Sequence, residues 1–292
     1  MQRERVAEEI FCFTSELYLQ ATASAIITSE GTVIIDTLPF PEETKEMLRF
    51  IKRRSKRRVY YVILTHHHVD HTYGTCFLPG EVIAHNRCRR ILEKLGYDIL
   101  RADQAQNPEL AEVKIKLPEV VFERGTISLH VGKKTVTLIH TPGHSSDGIS
   151  AYVREDKVLF AGDLVMPVPS IVGGNRAEMR ESLGIISELA IDSIVQGHGD
   201  VLLRGEIPEA IQTSYQYLDT IEREVQARID GGLPASSLRE LDVESCHKSR
   251  IPLNGLVEEL HQANLAYLYE ELFTGTPGRQ VTREAAVQEP NS

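Results

Sequence analysis

Residues 60–74 read "YYVILTHHHVDHTYG", and positions 66–71 hold four histidines and one aspartate. The run that precedes them, "RRVYYVILT" (57–65), is almost continuously apolar. That suits a strand buried on both faces, with the histidines released at its carboxyl end. In extended chain alternate side chains share a side. His66, His68 and Asp70 are therefore expected on one side, with His67 and Val69 on the other. His71 reaches the same space from the following turn. The stretch thus offers four candidate ligands and one bystander histidine. It differs from the helical H-E-x-x-H arrangement, whose two histidines lie one turn apart.

Three further strand ends supply matching side chains. "LIHTPGHSSDG" (138–148) places His144 after a Pro-Gly turn, "VLFAGDLV" (158–165) places Asp163 where an apolar strand stops, and "SIVQGHGD" (193–200) places His198 between two glycines. Five histidines and two aspartates exceed the four ligands of one tetrahedral zinc. They suit two divalent ions, zinc first and iron or manganese as alternatives. His66, His68 and His144 would hold one ion and Asp70, His71 and His198 the other, with Asp163 between them. Two ions about 3.5–4 Å apart polarise an electrophile and supply hydroxide near neutral pH.

The rest of the chain has to bring these ends together. "EEIFCFTS", "ASAIITSEG" and "TVIIDT" read as short strands, with Glu30-Gly31 a hairpin turn. "PEETKEMLRFIKRR" reads as a helix opened by Pro41. The cations of "IKRRSKRR" (51–58) then fall at its C-terminal end, where the dipole favours them, in preference to a phosphate-binding patch. "EVIAH" reads as a strand, residues 86–95 as a helix, and the stretch to Pro118 as a polar connector. "VVFER", "ISLHV", "TVTLIHT", "ISAYVRE" and "KVLFAGD" are further strands, followed by a Gly/Pro-rich loop (166–175) and a helix over 177–190. Strands with interspersed helices in both halves predict two packed sheets with helices outside. Ile211, Tyr215, Leu218, Ile221, Val225 and Ile229 recur at helical spacing, as do Leu256, Leu260, Leu268 and Leu272. The expected organisation is a core over 1–205, a helical cap over 206–274 on the same domain, and a polar, disordered tail over 275–292.

The 292 residues carry a formal net charge of −10 and are 41% hydrophobic. The acidic balance argues against nucleic acid as a partner. Neither a secretory leader nor an apolar run of membrane-spanning length is visible, so the expectation is a cytoplasmic protein without a membrane partner. Four scattered cysteines, with no CxxC pair, are expected to be reduced thiols. The substrate is expected to be a small molecule, and the helical faces leave a homodimer open.

"THHHVDH", then "TPGHS", "AGD" and "GHG" in that order, resembles the metallo-β-lactamase-fold hydrolases over about residues 8–205. The resemblance implies an α/β class protein with an αβ/βα four-layer sandwich, extended here by C-terminal helices. It implies the same ligand roles for the matching positions, with a water or hydroxide shared by the two ions. Asp36, ending "TVIID", resembles a family position that supports the metal loop, and Thr65 and Asp147 are candidates for the same work, because a ligating histidine needs its other ring nitrogen fixed.

Aspartate at 163 resembles the glyoxalase II, lactonase and phosphodiesterase groups; true β-lactamases carry cysteine or serine there. The resemblance points to attack on an ester-like carbonyl: lactone, thioester or carboxylic ester. Asp70 would orient the water or accept its proton. Phosphodiester cleavage by the same ions, a mononuclear-iron persulfide dioxygenase and a weak β-lactamase remain alternatives. The helical C-terminal third resembles a branch of general metallo-hydrolases in which such helices border the mouth of the site. Tyr215, Tyr217, Tyr267 and His261 are candidates for lining a pocket there, with core packing the competing role. Lys248 and Arg250 are candidates for holding a substrate carboxylate, with solvated surface charge the competing role. His85, His130 and His140 read as structural.

Overall fold

The computed structural model describes residues 1–275. All but the first residue of the expected tail lies outside them. Seven strands form one sheet in chain order: β1 (Gln2–Ala7), β2 (Ile10–Thr14), β3 (Thr22–Ile27), β4 (Thr32–Ile35), β5 (Val59–Ile63), β6 (Glu81–His85) and β7 (Val120–Phe122). Strands β1 to β4 pair antiparallel, and β4 to β7 pair parallel. Six form the second sheet: β8 (Thr126–Val131), β9 (Lys134–His140), β10 (Ile149–Val153), β11 (Val158–Gly162), β12 (Ser193–Gln196) and β13 (Leu202–Leu203), in the order 13-12-11-10-9-8. The β11–β12 pair is parallel and the others antiparallel.

The helices are α1 (Pro41–Arg54), α2 (Val69–Thr72), α3 (Asn86–Ile91), α4 (Tyr97–Gln106), α5 (Arg176–Ser187), α6 (Ile207–Asp230) and α7 (Val257–Thr274). Alternation along the strands sorts their side chains into layers. Ile26, Val33, Ile35, Ile63 and Ile83 of the first sheet meet Val136, Leu138, Ala151, Phe160 and Val195 of the second. From the same strands Ile34, Val62 and Ala84 point outward, onto Met47 and Ile51 of α1 and Cys88 of α3. Leu159, Ala161 and Ile194 face the other way, into a cluster with α5, α6 and α7. The result is the αβ/βα four-layer sandwich with additional C-terminal helices.

Among the segments that depart from the sequence reading, two bury little. Strand β1 is an exposed edge strand, "QRERVA", whose polar residues carry no burial signal. The supposed connector after residue 95 contains helix α4, which buries only Leu100 and so shows no apolar periodicity. Helix α1 has Glu42 and Glu43 in its first turn and Lys52, Arg53 and Arg54 in its last, as the dipole favours.

Candidate metal centre

Strand β5 ends at Ile63, the chain bends over residues 65–67, and His68 is extended (φ −61°, ψ 149°) before the turn into α2. His66 and His68 still fall in one group with His67 turned to Asp147, the sorting that alternation predicts, but the pattern stops there. Asp70 and His71 are placed by a helical turn, tied down by Thr72 Oγ1 donating to the His68 carbonyl (3.0 Å) and Thr37 Oγ1 donating to the His71 carbonyl (2.9 Å). His144 leaves the loop after β9, Asp163 follows β11 and His198 follows β12. All the candidate ligands thus sit beyond strand carboxyl ends.

They converge into two groups. His66, His68, His144 and Asp163 form one and Asp70, His71 and His198 the other, with the ligand atoms of each within 4.8 Å of one another. Asp163 lies between. Its Oδ2 is 3.2 Å from His144 Nε2 and 3.7 Å from His66 Nε2; its Oδ1 is 3.2 Å from His71 Nε2 and 3.5 Å from His198 Nε2. One carboxylate oxygen faces each group. Gly197 permits this approach, because a Cβ there would lie 1.9 Å from Asp163 Oδ1.

The far nitrogens of the rings fix which atoms face inward. Thr65 Oγ1 donates to Asp36 Oδ2 (2.7 Å) and so accepts from His66 Nδ1 (3.0 Å). His71 Nδ1 donates to Asp36 Oδ2 (2.9 Å), His144 Nδ1 to the Ser170 carbonyl (3.0 Å) and His198 Nδ1 to the Leu19 carbonyl (2.9 Å). In the neutral form of each ring Nε2 is then the nitrogen free to bind an ion. His68 presents Nδ1 instead, 3.0 Å from His66 Nε2 and 2.9 Å from His144 Nε2. Asp36 holds its position in the left-handed region (φ 54°), and Thr65 N also donates to its Oδ1 (2.8 Å). Leu19 and Gln20 share that strained geometry (φ 47° and 51°) beside His198.

Asp163 Oδ1 and Oδ2, His71 Nε2 and His198 Nε2 are all buried without a hydrogen bond. Orphaned buried lone pairs of this kind fit ions with nitrogen and oxygen ligands. Burial alone would drive the His71 and His198 rings down. The carboxylates of Asp163 and Asp70 outweigh it, holding His71 well above the ordinary histidine value and His198 at about 9. Burial would raise the Asp163 carboxyl, yet the surrounding imidazoles hold it well below the carboxylate range. Asp163, His71 and His198 thus favour one another's charged forms, whereas burial and the neighbouring His71 hold His66 well below the ordinary histidine value.

The sequence profile of the metallo-beta-lactamase superfamily matches residues 18–198. The chain belongs to that superfamily. Relatives within it include the beta-lactamase-like protein 2 homologs of Caenorhabditis elegans, 24% identical over 71% of this chain and 65% of the relative, and of Drosophila melanogaster, 26% identical over 65% and 63%. The match therefore spans slightly under two thirds of either relative's length. A metallo-beta-lactamase family protein from Thermus thermophilus superposes with a TM-score of 0.66 at 17% identity, covering 93% of this chain and 95% of that one. The metallo-beta-lactamase from Pontibacter korlensis gives 0.56 at 19%, covering 72% and 98%. These two likenesses show the metallo-beta-lactamase fold.

The remaining sequence candidates fall in different places. His67 is the bystander, bonded through Nδ1 to Asp147 Oδ1 (2.9 Å). Asp147 braces the loop through that ring, whereas Asp36 and Thr65 touch the ligands themselves. Tyr217 and His261 do not line a mouth: both are wholly buried, hydrogen-bonded to each other at 3.0 Å between α6 and α7. Tyr267 is also buried, and Tyr215 donates to the Arg180 carbonyl on α5 (2.8 Å). Lys248 is no surface cation. It lies buried with Nζ donating to Thr213 Oγ1 and Ser214 Oγ, both at 3.0 Å, and burial lowers its amine to about 8. Arg250 is exposed and paired with Asp242 and Glu244. Helical spacing marks the four on α6 and α7 as inward-facing or flanking and cannot separate a pocket wall from a core; Lys248 and Arg250 lie in the irregular stretch between those helices. The carbonyls of Leu19 and Ser170 escaped the sequence reading because backbone atoms leave no residue-type signal.

Proposed function

We propose that the protein is a hydrolase that holds two divalent ions, zinc in the first instance, and cleaves an ester-like carbonyl bond: a lactone, thioester or carboxylic ester. The observation that carries this is Asp163, one oxygen turned to each histidine group. His66 Nε2, His68 Nδ1, His144 Nε2 and Asp163 Oδ2 would hold one ion, and Asp70, His71 Nε2, His198 Nε2 and Asp163 Oδ1 the other. When bound, such a pair supplies a Lewis acid and a hydroxide source near neutral pH.

The chain's own residues then position and protonate. Asp70, whose Oδ2 is 3.2 Å from His198 Nε2, would orient a water and take its proton. Asp36 and Thr65 keep the His66 and His71 rings in the tautomer that faces inward. The core (1–205) carries every ligand, and the helices of 206–274 form its cap. Free cysteines at 12, 76, 88 and 246 are in keeping with a reducing, cytoplasmic compartment. Among the described residues no helix is long and apolar enough to cross a membrane.

The test is an assay of zinc-loaded protein against lactones, aryl esters, glutathione thioesters, phosphodiesters and a cephalosporin, each with a chelated control. Chelator-sensitive turnover confined to the carbonyl substrates is expected. Preference for phosphodiesters, or silence across the panel with two ions bound, would overturn the reading.

A further inference from the structure

The C-terminal helix α7 reaches the loop beside the metal centre through the amide of Asn264. Asn264 is 1% exposed and sits on the buried face of α7 with His261, Leu265 and Leu268. Its Oδ1 accepts from Ile171 N (2.9 Å), and its Nδ2 donates to the Pro169 carbonyl (2.7 Å). The two bonds bracket Ser170, whose carbonyl accepts from His144 Nδ1 (3.0 Å). The loop that fixes the His144 tautomer is therefore clamped one residue before and one residue after the contact.

The clamp is itself oriented. Asn264 Nδ2 also donates to Tyr217 Oη (2.9 Å). His261 Nε2 donates to the Leu241 carbonyl (3.0 Å), so its Nδ1 accepts the Tyr217 hydroxyl proton (3.0 Å). Burial lowers the His261 ring, which keeps it neutral and suited to that role. Every proton in the chain has one direction, and the amide cannot flip without placing donor against donor at Ile171.

We infer that Asn264 is a positioning residue for the ion held by His66, His68 and His144, acting through the Ser170 carbonyl. The inference rests on the metal-centre reading above. A loop of main chain alone would leave the carbonyl free to rotate away. Held on both sides, it keeps the proton on His144 Nδ1 and the lone pair on Nε2. Outer partners of this kind change metal affinity by about 10–100-fold.

The experiment is cobalt(II) titration of the metal-free full chain, followed by its visible absorption, with zinc competition for affinity. Asn264→Leu removes both loop bonds. Asn264→Asp keeps the acceptor for Ile171 N and loses the donor to Pro169. Tyr217→Phe cuts the network one step further out and leaves both loop bonds in place. In Asn264→Leu and Asn264→Asp, one of the two binding steps is expected to weaken by about 10–100-fold with an altered cobalt spectrum, while the other is unchanged. Tyr217→Phe is expected to follow wild type. Equal loss in Tyr217→Phe, or loss of both ions together, would reveal general loosening of the helices and overturn the inference.

Wild-type protein provides a measurement that needs no variant to fold. The Ile171 amide and the His144 ring proton should exchange with solvent at one common opening rate in the zinc-loaded form, whereas the His198 ring proton follows its own. Unlinked opening of Ile171 and His144 would overturn the clamp. Failure of wild type to bind cobalt at all would instead overturn the metal-centre reading beneath it.

Discussion

Replacing Asp36 by asparagine removes the charge and turns one acceptor atom into a donor, with no change of shape. Asp36 Oδ1 accepts from Thr65 N at 2.8 Å; Oδ2 accepts from Thr65 Oγ1 at 2.7 Å and from His71 Nδ1 at 2.9 Å. With its oxygen kept on the immobile Thr65 N–H, asparagine points its NH2 group at the other two partners. Both can adapt. The Thr65 hydroxyl can turn its proton to His66 Nδ1, and both rings then carry hydrogen on Nε2, the atom that must face an ion. Metal-free Asp36→Asn protein is therefore satisfied in the wrong tautomer. Binding must reverse the amide and leave a buried Thr65 N–H facing a donor, which costs about 1–3 kcal/mol. At 1.4 kcal/mol per tenfold, that is roughly a 5-fold to 150-fold loss in affinity. Competition against a chromophoric chelator measures the loss, and heat denaturation of the metal-free form checks that stability stays near wild type. Unchanged affinity for both ions in a stable variant would refute the tautomer argument.

Other substitutions test neighbouring parts of the site. Asp163→Ala and His198→Ala should each reduce turnover to the chelated background while far-ultraviolet circular dichroism stays native; activity retained by both would contradict a two-ion centre. Gly197→Ala places a Cβ 1.9 Å from Asp163 Oδ1, so the carboxylate must move, and metal analysis should find fewer ions per folded chain than in wild type. Lys248 provides a pH test away from the ligands. Its amine titrates at about 8 in the native state against a reference value of 10.5, so between those values the unfolded chain binds the extra proton and stability rises with pH. Urea denaturation should show Lys248→Met more stable than wild type at pH 7, with the gap narrowing by about 2 kcal/mol by about pH 9.5. A gap independent of pH would show that the amine is not held in a low-dielectric site.

The candidate ligand set was legible because each member lies beyond the carboxyl end of an apolar strand, where a sheet delivers side chains to a common edge. His144, Asp163 and His198 lie far from His66 in sequence, yet all sit beside Gly, Pro or the end of a run of Val, Ile, Leu and Phe. The path of the first motif was less legible. Alternation sorted the side chains correctly to His68, but the helical turn from Val69 depends on hydrogen bonds to Thr37 and within the turn that no periodicity announces. Edge strand β1 and helix α4 were missed for the same reason as each other: they bury too little for composition to reveal them. The C-terminal helices showed the reverse failure. Tyr217, His261 and Lys248 have the side chains of a binding pocket, but the helices bury them and give each a polar partner inside.

Both histidine groups draw on both sheets: His66, His68, Asp70 and His71 hang from the first, and His144, Asp163 and His198 from the second. The apolar layer between the sheets, with Ile63 on one side and Phe160 on the other, consequently acts as a spacer gauge for the ligands. Thinning it should shorten or skew distances at the rim without touching a ligand. Occupation of the rim should in turn oppose separation of the layers, since any ion bound only by the native state stabilises it in proportion to RT ln(1 + [L]/Kd). Oil at the centre and metal at the edge would then be two ends of one lever, each reporting strain applied to the other.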